Sequence, residues 1–201
     1  MKRVILIGGA PTTGKSTIAK LLSKKLGVPC ISTDDVREQM REKTDSEKNP
    51  ALFKAVQYSA EEFLNKFSPQ EIVDIEREEG EVVWTEIKKI VDRSEEGGES
   101  IVVEGVAVLP HLVARDFPAV EYVRPIFLVD HDVDRIRKVI FSRGLWDDAH
   151  TYSDDVKEKE VKWAALFNSW LESEAKKFGF QTVEVTKSEN DGERVLKILN
   201  L

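Results

Sequence analysis

A single cysteine, Cys30, stands in a chain of 201 residues, which rules out an intramolecular disulfide and a cysteine-based structural zinc site. A reducing, cytoplasmic setting is the resulting expectation. Histidine is nearly as scarce: His111, His131 and His150 are dispersed without ligand-like spacing, so no histidine zinc site is expected. Long apolar runs are missing as well. The Val4–Ile7 stretch ends at Gly8-Gly9, far short of a signal-peptide core or a membrane span, and reads as a buried strand. Positive charge is in deficit, with a formal net charge of −7. That argues against nucleic acid or an anionic membrane as partner, and any basic site is local. No repeat period or low-complexity tract is visible.

What is present suits a globular enzyme-sized unit. Hydrophobic residues make up 41% and charged residues 33% of the chain, and the length fits one compact α/β domain over 1–201 with a small mobile insert. Helical spacing of Ile18, Leu21, Leu22 and Leu26 predicts a helix over Lys15–Leu26, stopped by Gly27-Val28-Pro29. Cys30–Ser32 reads as a short strand, and Thr33-Asp34-Asp35 supplies N-cap chemistry for a helix through Met40. The charged segment 43–50 opens an expected helical insert, 43–96. Within it one helix is predicted over Ala51–Phe67. A second starts at the capping box Ser68-Pro69-Gln70-Glu71 and runs to Glu96, with Gly80 as a kink or break point.

Further along, Ile101–Val103 and Tyr122–Val129 read as buried strands. Asp132 caps a helix that ends at Arg143-Gly144, and the polar segment Leu145–Asp155 completes an expected lid region, 132–155. Trp163, Phe167, Trp170, Leu171 and Phe178 form one helical stripe, read as core packing. The strand Thr182–Val185 and a helix over Gly192–Leu199 close the chain. Five strands alternating with helices predict a parallel doubly wound sheet.

Gly9-Ala10-Pro11-Thr12-Thr13-Gly14-Lys15-Ser16 fits G-x-x-x-x-G-K-[ST] between a predicted strand and a predicted helix. Phosphate oxygens must meet converging backbone N–H groups with no side chain in the way, and the helix N-terminus adds partial positive charge. Lys15 then serves as a point charge on the β- and γ-phosphates, and the Ser16 hydroxyl ligates Mg²⁺. The expected nucleotide-contact set is Gly9 through Thr17, with ATP and Mg²⁺ as cofactors.

The other candidates follow from strand ends, where ligands bind in open parallel sheets. Glu104 is the candidate acid for positioning Mg²⁺, ahead of Asp130, whose Asp130-His131-Asp132 context suits helix capping. Asp34 and Arg37, spaced i, i+3 after the second strand, can share one helical face. The carboxylate would orient an acceptor hydroxyl and the guanidinium would clamp an anionic group. Arg135, Arg137, Lys138 and Arg143 form a basic cluster in an acidic chain; Arg143 first and Arg137 second are the candidates for stabilising a transferring phosphoryl group. His111, with Arg115 at i+4, is a candidate contact to an anionic acceptor. Glu78, Glu79 and Glu81 are read as solvent-facing and Cys30 as a small buried hydrophobe.

Gly9–Ser16, Ser32-Thr33-Asp34-Asp35-Val36-Arg37, Val102-Val103-Glu104-Gly105-Val106 and Arg135–Arg143 resemble, in order and spacing, the small-molecule kinases of the P-loop superfamily, most of all the 2-phosphoglycerate kinases. A Val108-Leu109-Pro110 stretch after Glu-Gly-Val adds to the likeness. The resemblance implies a P-loop NTPase three-layer sandwich with a five-stranded parallel sheet, an ATP-dependent kinase activity, and an acceptor held beneath the insert. It also implies Asp34 as the acceptor-facing acid, Lys15 and Ser16 as phosphate and metal contacts, and Lys187 in the segment that receives adenine. The chain departs from the family in carrying Ala107 just after Glu-Gly-Val and His111 only later. Zeta-toxin-type nucleotide-sugar kinases and some antibiotic phosphotransferases share the same P-loop and Asp-x-x-Arg step. A nucleotide-binding switch is the alternative of another class. No Asn-Lys-x-Asp segment and no Asp-x-x-Gly after the third strand support it.

Overall fold

A computed structural model describes residues 3–118, 120–186 and 190–201, with the side chain of Asp147 left aside. Strand β1 (Val4–Gly9) is buried along its whole length. Helix α1 (Lys15–Leu26) begins after Gly14 in the left-handed region, φ 79° and ψ 19°, and ends at left-handed Gly27. Strand β2 (Cys30–Ser32) leads into α2 (Thr33–Arg41). Its cap is Ser32, whose hydroxyl accepts from the Asp34 N–H. The cap thus falls one residue before the expected Thr33-Asp34-Asp35, leaving both aspartates in the first turn, where the helix dipole favours them.

The expected insert forms α3 (Pro50–Phe53), α4 (Ala60–Lys66) and α5 (Pro69–Gly97). The single helix predicted over Ala51–Phe67 is two, because Ser59 and Glu62 form a capping box that starts α4 afresh. Helix α5 starts at the predicted Ser68–Glu71 box and runs without a break through Gly80. A Cβ at Gly80 would lie 2.9 Å from Leu109 Cδ1, so this glycine serves close packing and not a kink.

Strand β3 (Ile101–Gly105), α6 (Pro110–Asp116), β4 (Val123–Val129), α7 (Val133–Arg143), a 3-10 turn (Leu145–Asp147), α8 (Asp154–Lys177), β5 (Thr182–Glu184) and α9 (Asp191–Ile198) follow. The strands make a parallel five-stranded sheet in the order β2-β3-β1-β4-β5, as expected. Alternation along the strands divides the core. Val4, Leu6, Val103 and Phe127 pack with residues of α5, α6 and α8, whereas Ile5, Ile7, Val102, Ile126 and Leu128 pack with α1 and α9. Three layers result, and each fully buried aliphatic or aromatic side chain contributes about 1.5–3 kcal/mol.

Two readings of packing need correction. Cys30 is exposed, because β2 is an edge strand. In the aromatic stripe Trp163, Phe167 and Leu171 are fully buried, but Phe178 is 37% exposed, since it sits past the end of α8.

Candidate active site

The glycine loop wraps the carboxyl end of β1, between β3 and β4. Its Ala10 carbonyl accepts from Thr13 N (3.4 Å), Thr13 Oγ1 (2.8 Å) and Lys15 Nζ (3.2 Å). A Cβ at Gly9 would lie 2.8 Å from Thr13 Oγ1 and 3.1 Å from the Leu128 carbonyl. No side chain caps α1, so its first-turn N–H groups are left to the loop. This is an anion cradle of backbone donors, and it fits a nucleotide's phosphates. Ser16 and Thr17 are exposed on that first turn.

Glu104 is buried at the carboxyl end of β3, with the Ser16 and Ser32 hydroxyls beside it favouring its charged form. Burial pushes its pKa up, while Lys15 pulls it back. Burial likewise lowers the Lys15 pKa, against the attraction of Glu104 and Asp34. The Ser16–Glu104 pair offers the hard oxygen donors that Mg²⁺ takes, alongside waters and phosphates. Among the described residues no group of three or more histidine, cysteine or acidic side chains could hold a metal by itself.

Across the cleft, α2 presents Asp34 and Arg37. Gly105 permits this approach: at φ +151° a Cβ there would collide with the Thr33 side chain. Arg37 Nη1 lies 3.2 Å from Asp34 Oδ1 and 3.2 Å from Glu79 Oε2, and Arg41 Nη2 lies 2.6 Å from Glu79 Oε1. Glu79 is therefore buried, contrary to the solvent-facing reading. The α5 face that carries it docks on α2, where two guanidiniums compensate its charge. Burial opposes ionisation of Arg37, but Glu79, Asp34 and Glu76 hold its pKa above the ordinary value.

Glu76, one turn before Gly80, escaped the sequence reading. It lines a narrow cleft with Thr33, Asp34, Arg37, Glu79 and Val106. Burial, and next the charge of Glu79, push its pKa up to about 8. The signal available was its i, i+3 spacing with Glu79 on the face that also bears Gly80 and Val83.

The basic cluster divides by function. Arg143, at the end of α7, is near enough to Lys15 and to Glu160 to act on both electrostatically. Arg137 pairs with Glu158 (2.7 Å) and Asp134 (2.8 Å). It is thus engaged with carboxylates of α7 and α8 rather than with the phosphate loop. Arg135 holds Asp130 at 2.6 Å and donates to the Val185 carbonyl at 2.8 Å, so Asp130 is a structural residue. After Arg143 the chain turns through Gly144. Leu145 N donates to Tyr152 Oη (2.6 Å), and that hydroxyl donates to Glu160 Oε2 (2.7 Å), in a buried chain. Burial pushes Glu160 up to about 7. The expected polar lid segment is thus partly core: Leu145, Ala149 and Tyr152 are buried.

His111 does not join the cleft. Its Nε2 lies 2.9 Å from Glu81 Oε1 and its ring packs edge-on to Trp170, because α6 turns this face toward α5 and α8. Thr186 is held by Asp191 through two hydrogen bonds of 2.8 Å. Lys187 lies outside the described residues.

Comparison with known proteins follows this geometry. Over 99% of both chains the structure matches a shikimate kinase from Bacteroides thetaiotaomicron, with a TM-score of 0.57 at 17% identity. A shikimate kinase from Acinetobacter baumannii in complex with shikimate gives 0.57 at 11% identity, covering 100% of this chain and 93% of that one. The fold is that of the P-loop small-molecule kinases. Residues 4–86 of this P-loop fold match the AAA domain family. In sequence it is 28% identical, over 98% of its length, to the 2-phosphoglycerate kinase of Methanocaldococcus jannaschii, of which it covers 62%. To that of Methanothermobacter thermautotrophicus it is 32% identical over 71% of its length, covering 48% of the relative. The chain thus spans about half to three-fifths of these two relatives, and the resemblance read from the four motifs is borne out.

Proposed function

We propose that this chain is a kinase that uses ATP and Mg²⁺ to phosphorylate a hydroxyl group of a small metabolite. The observation that carries the reading is the convergence on one cleft of the phosphate cradle with Lys15, the neighbouring Ser16 and Glu104 side chains, and Asp34 opposite them. A switch would need only the first of these. Lys15 neutralises charge on the phosphates, Ser16 and Glu104 would hold the cation and its waters, and the cation would offset charge between the β- and γ-phosphates. Asp34, on the exposed first turn of α2, orients the acceptor hydroxyl and takes its proton. Arg143 approaches Lys15 from the α7 side and adds positive charge as the phosphoryl group transfers.

The relatives' names supply 2-phosphoglycerate as the first acceptor to try, an anionic one; nucleosides, nucleotide sugars and hydroxylated antibiotics are the alternatives. The test is ADP formation from ATP and Mg²⁺ against 2-phosphoglycerate, glycerate, nucleosides, shikimate, gluconate and UDP-sugars, with any product identified by mass. An acceptor-dependent rise in turnover supports the kinase reading. Tight nucleotide binding with no acceptor raising turnover would sink it in favour of a switch.

A further inference from the structure

Two cavities meet at Glu76. The inner one, beside Asp34, has room for little more than one water, about 10 Å³. The outer one, about 300 Å³, is large enough for a small metabolite. It shares Arg37, Glu76 and Glu79 with the inner cleft and is lined beyond them by Arg41, Tyr58 and Trp146 among others. The space for an acceptor is therefore the outer cavity, with the exposed carboxylate of Asp34 at its edge, 3.2 Å from Arg37.

Two polar groups on the shared wall are uncommitted. Arg37 Nη1 lies 3.2 Å from both Asp34 and Glu79, and its Nε donates to Glu38 at 3.3 Å; its Nη2 makes no hydrogen bond among the described residues. Arg41 is engaged at every nitrogen, with Leu52 O, Glu38 and Glu79 each at 2.6 Å. Glu76, half-buried, makes no hydrogen bond or ion pair among the described residues. The charged groups that face it are Glu79 from its own helix, Asp34 and Arg37 from α2, and Lys15 from α1. Burial and the two carboxylates favour the neutral acid, Arg37 and Lys15 oppose it, and the balance keeps the proton in place up to about pH 8. A neutral carboxyl carries an O–H donor. Beside a guanidinium N–H it makes a pair of donors suited to one carboxylate or phosphate group, whereas the ionised form would repel that group.

We propose that Glu76 determines acceptor specificity as a hydrogen-bond donor: its carboxylic acid and Arg37 Nη2 together hold an anionic group of the acceptor, and loss of the proton expels it. This rests on the kinase reading and adds to it the residue that selects an anionic acceptor. Arg37 joins the two ends of the site, Nη2 on the anion and Nη1 on Asp34, so that the acceptor's hydroxyl falls beside the Asp34 carboxylate. Lys15 remains with the nucleotide. Acceptor binding is thereby linked to a proton, which Glu76 takes up from solvent when the anion binds above pH 8.

The test is calorimetric titration of the full chain, saturated with Mg²⁺ and a non-hydrolysable ATP analogue, between pH 7 and pH 9. The probes are 2-phosphoglycerate, glycerate and shikimate as anions and glycerol as the neutral compound; the anions' own acid groups are almost wholly ionised in that range. At least one anion is expected to bind tenfold or more tightly than glycerol at pH 7, and its affinity to fall about tenfold by pH 9, as loss of a proton near pH 8 requires. Glu76→Gln, whose amide donates at every pH, is expected to level that profile, and Glu76→Ala to weaken the anion about tenfold at pH 7. Nucleotide affinity within twofold of the parent shows that both variants are folded. A flat profile in the unaltered protein, a slope that survives Glu76→Gln, no loss in Glu76→Ala, or no anion bound more tightly than glycerol would each overturn the proposal. Because binding is read without turnover, a failure of phosphoryl transfer would count against the kinase reading alone.

Discussion

The two halves of the cleft are built on opposite principles. The nucleotide half is one contiguous segment, Gly9–Thr17, in which backbone groups do most of the work and Lys15 and Ser16 extend them. The half proposed for the acceptor is assembled from Asp34 and Arg37 on α2 and Glu76 and Glu79 on α5, with Trp146 after α7 opening beside them. Backbone donors recognise phosphate whatever it is attached to. In the proposed reading, recognition of the acceptor falls to side chains from distant elements, so that half could change specificity while the other stays fixed.

Substitutions can break this contrast in a graded way. The largest effect is expected at Lys15→Ala, about a thousandfold in kcat/KM with nucleotide affinity lost as well; an acceptor-side effect alone, read by steady-state kinetics and nucleotide titration, would contradict the division. Glu79→Ala removes the buried carboxylate shared by Arg37 and Arg41 and leaves them only partners that are more exposed, and denaturant unfolding should show a loss of about 3 kcal/mol. Asp34→Asn is expected to lower kcat about a hundredfold while nucleotide affinity is unchanged. Retained transfer would remove Asp34 from the role of base.

Glu160 tests the support behind Arg143. Its pKa rises from 4.5 to about 7, so the native state retains a proton that the unfolded chain gives up. Stability should therefore fall as pH rises from about 4.5 to about 7 and level off above. Glu160→Gln should flatten this contribution, worth about 3 kcal/mol, in thermal melts across that range. The smallest effect is a contrast: Arg143→Ala should lower kcat about tenfold, and Arg137→Ala, which loses a partly exposed pair with Glu158, should leave it unchanged. Equal losses would return both arginines to the site.

Legibility followed locality. The phosphate loop, the Ser68 capping box and the parallel sheet were readable because each is encoded by neighbouring residues or by a simple period. The Ser59–Glu62 box, equally local, was passed over because apolar spacing across 51–67 suggested one helix. The errors of substance lay where a face chooses its partner. Glu79 looked like any charged helix residue until α2 brought Arg37 and Arg41 against it. Arg137 and Arg143 lie six positions apart on one helix, too far for spacing to say which faces the loop.

By itself the sequence determined the α/β order of elements, the phosphate cradle, and the candidacy of Asp34 and Glu104 at strand ends, since chain connectivity and strand direction bring those positions to one edge. Tertiary structure alone decided that Glu76 and Glu79 line the cleft, that Arg137 and His111 leave it, and that Trp146 opens onto it. Those outcomes depend on which helix faces meet, and a packed interface satisfies its charges with partners that no local pattern names.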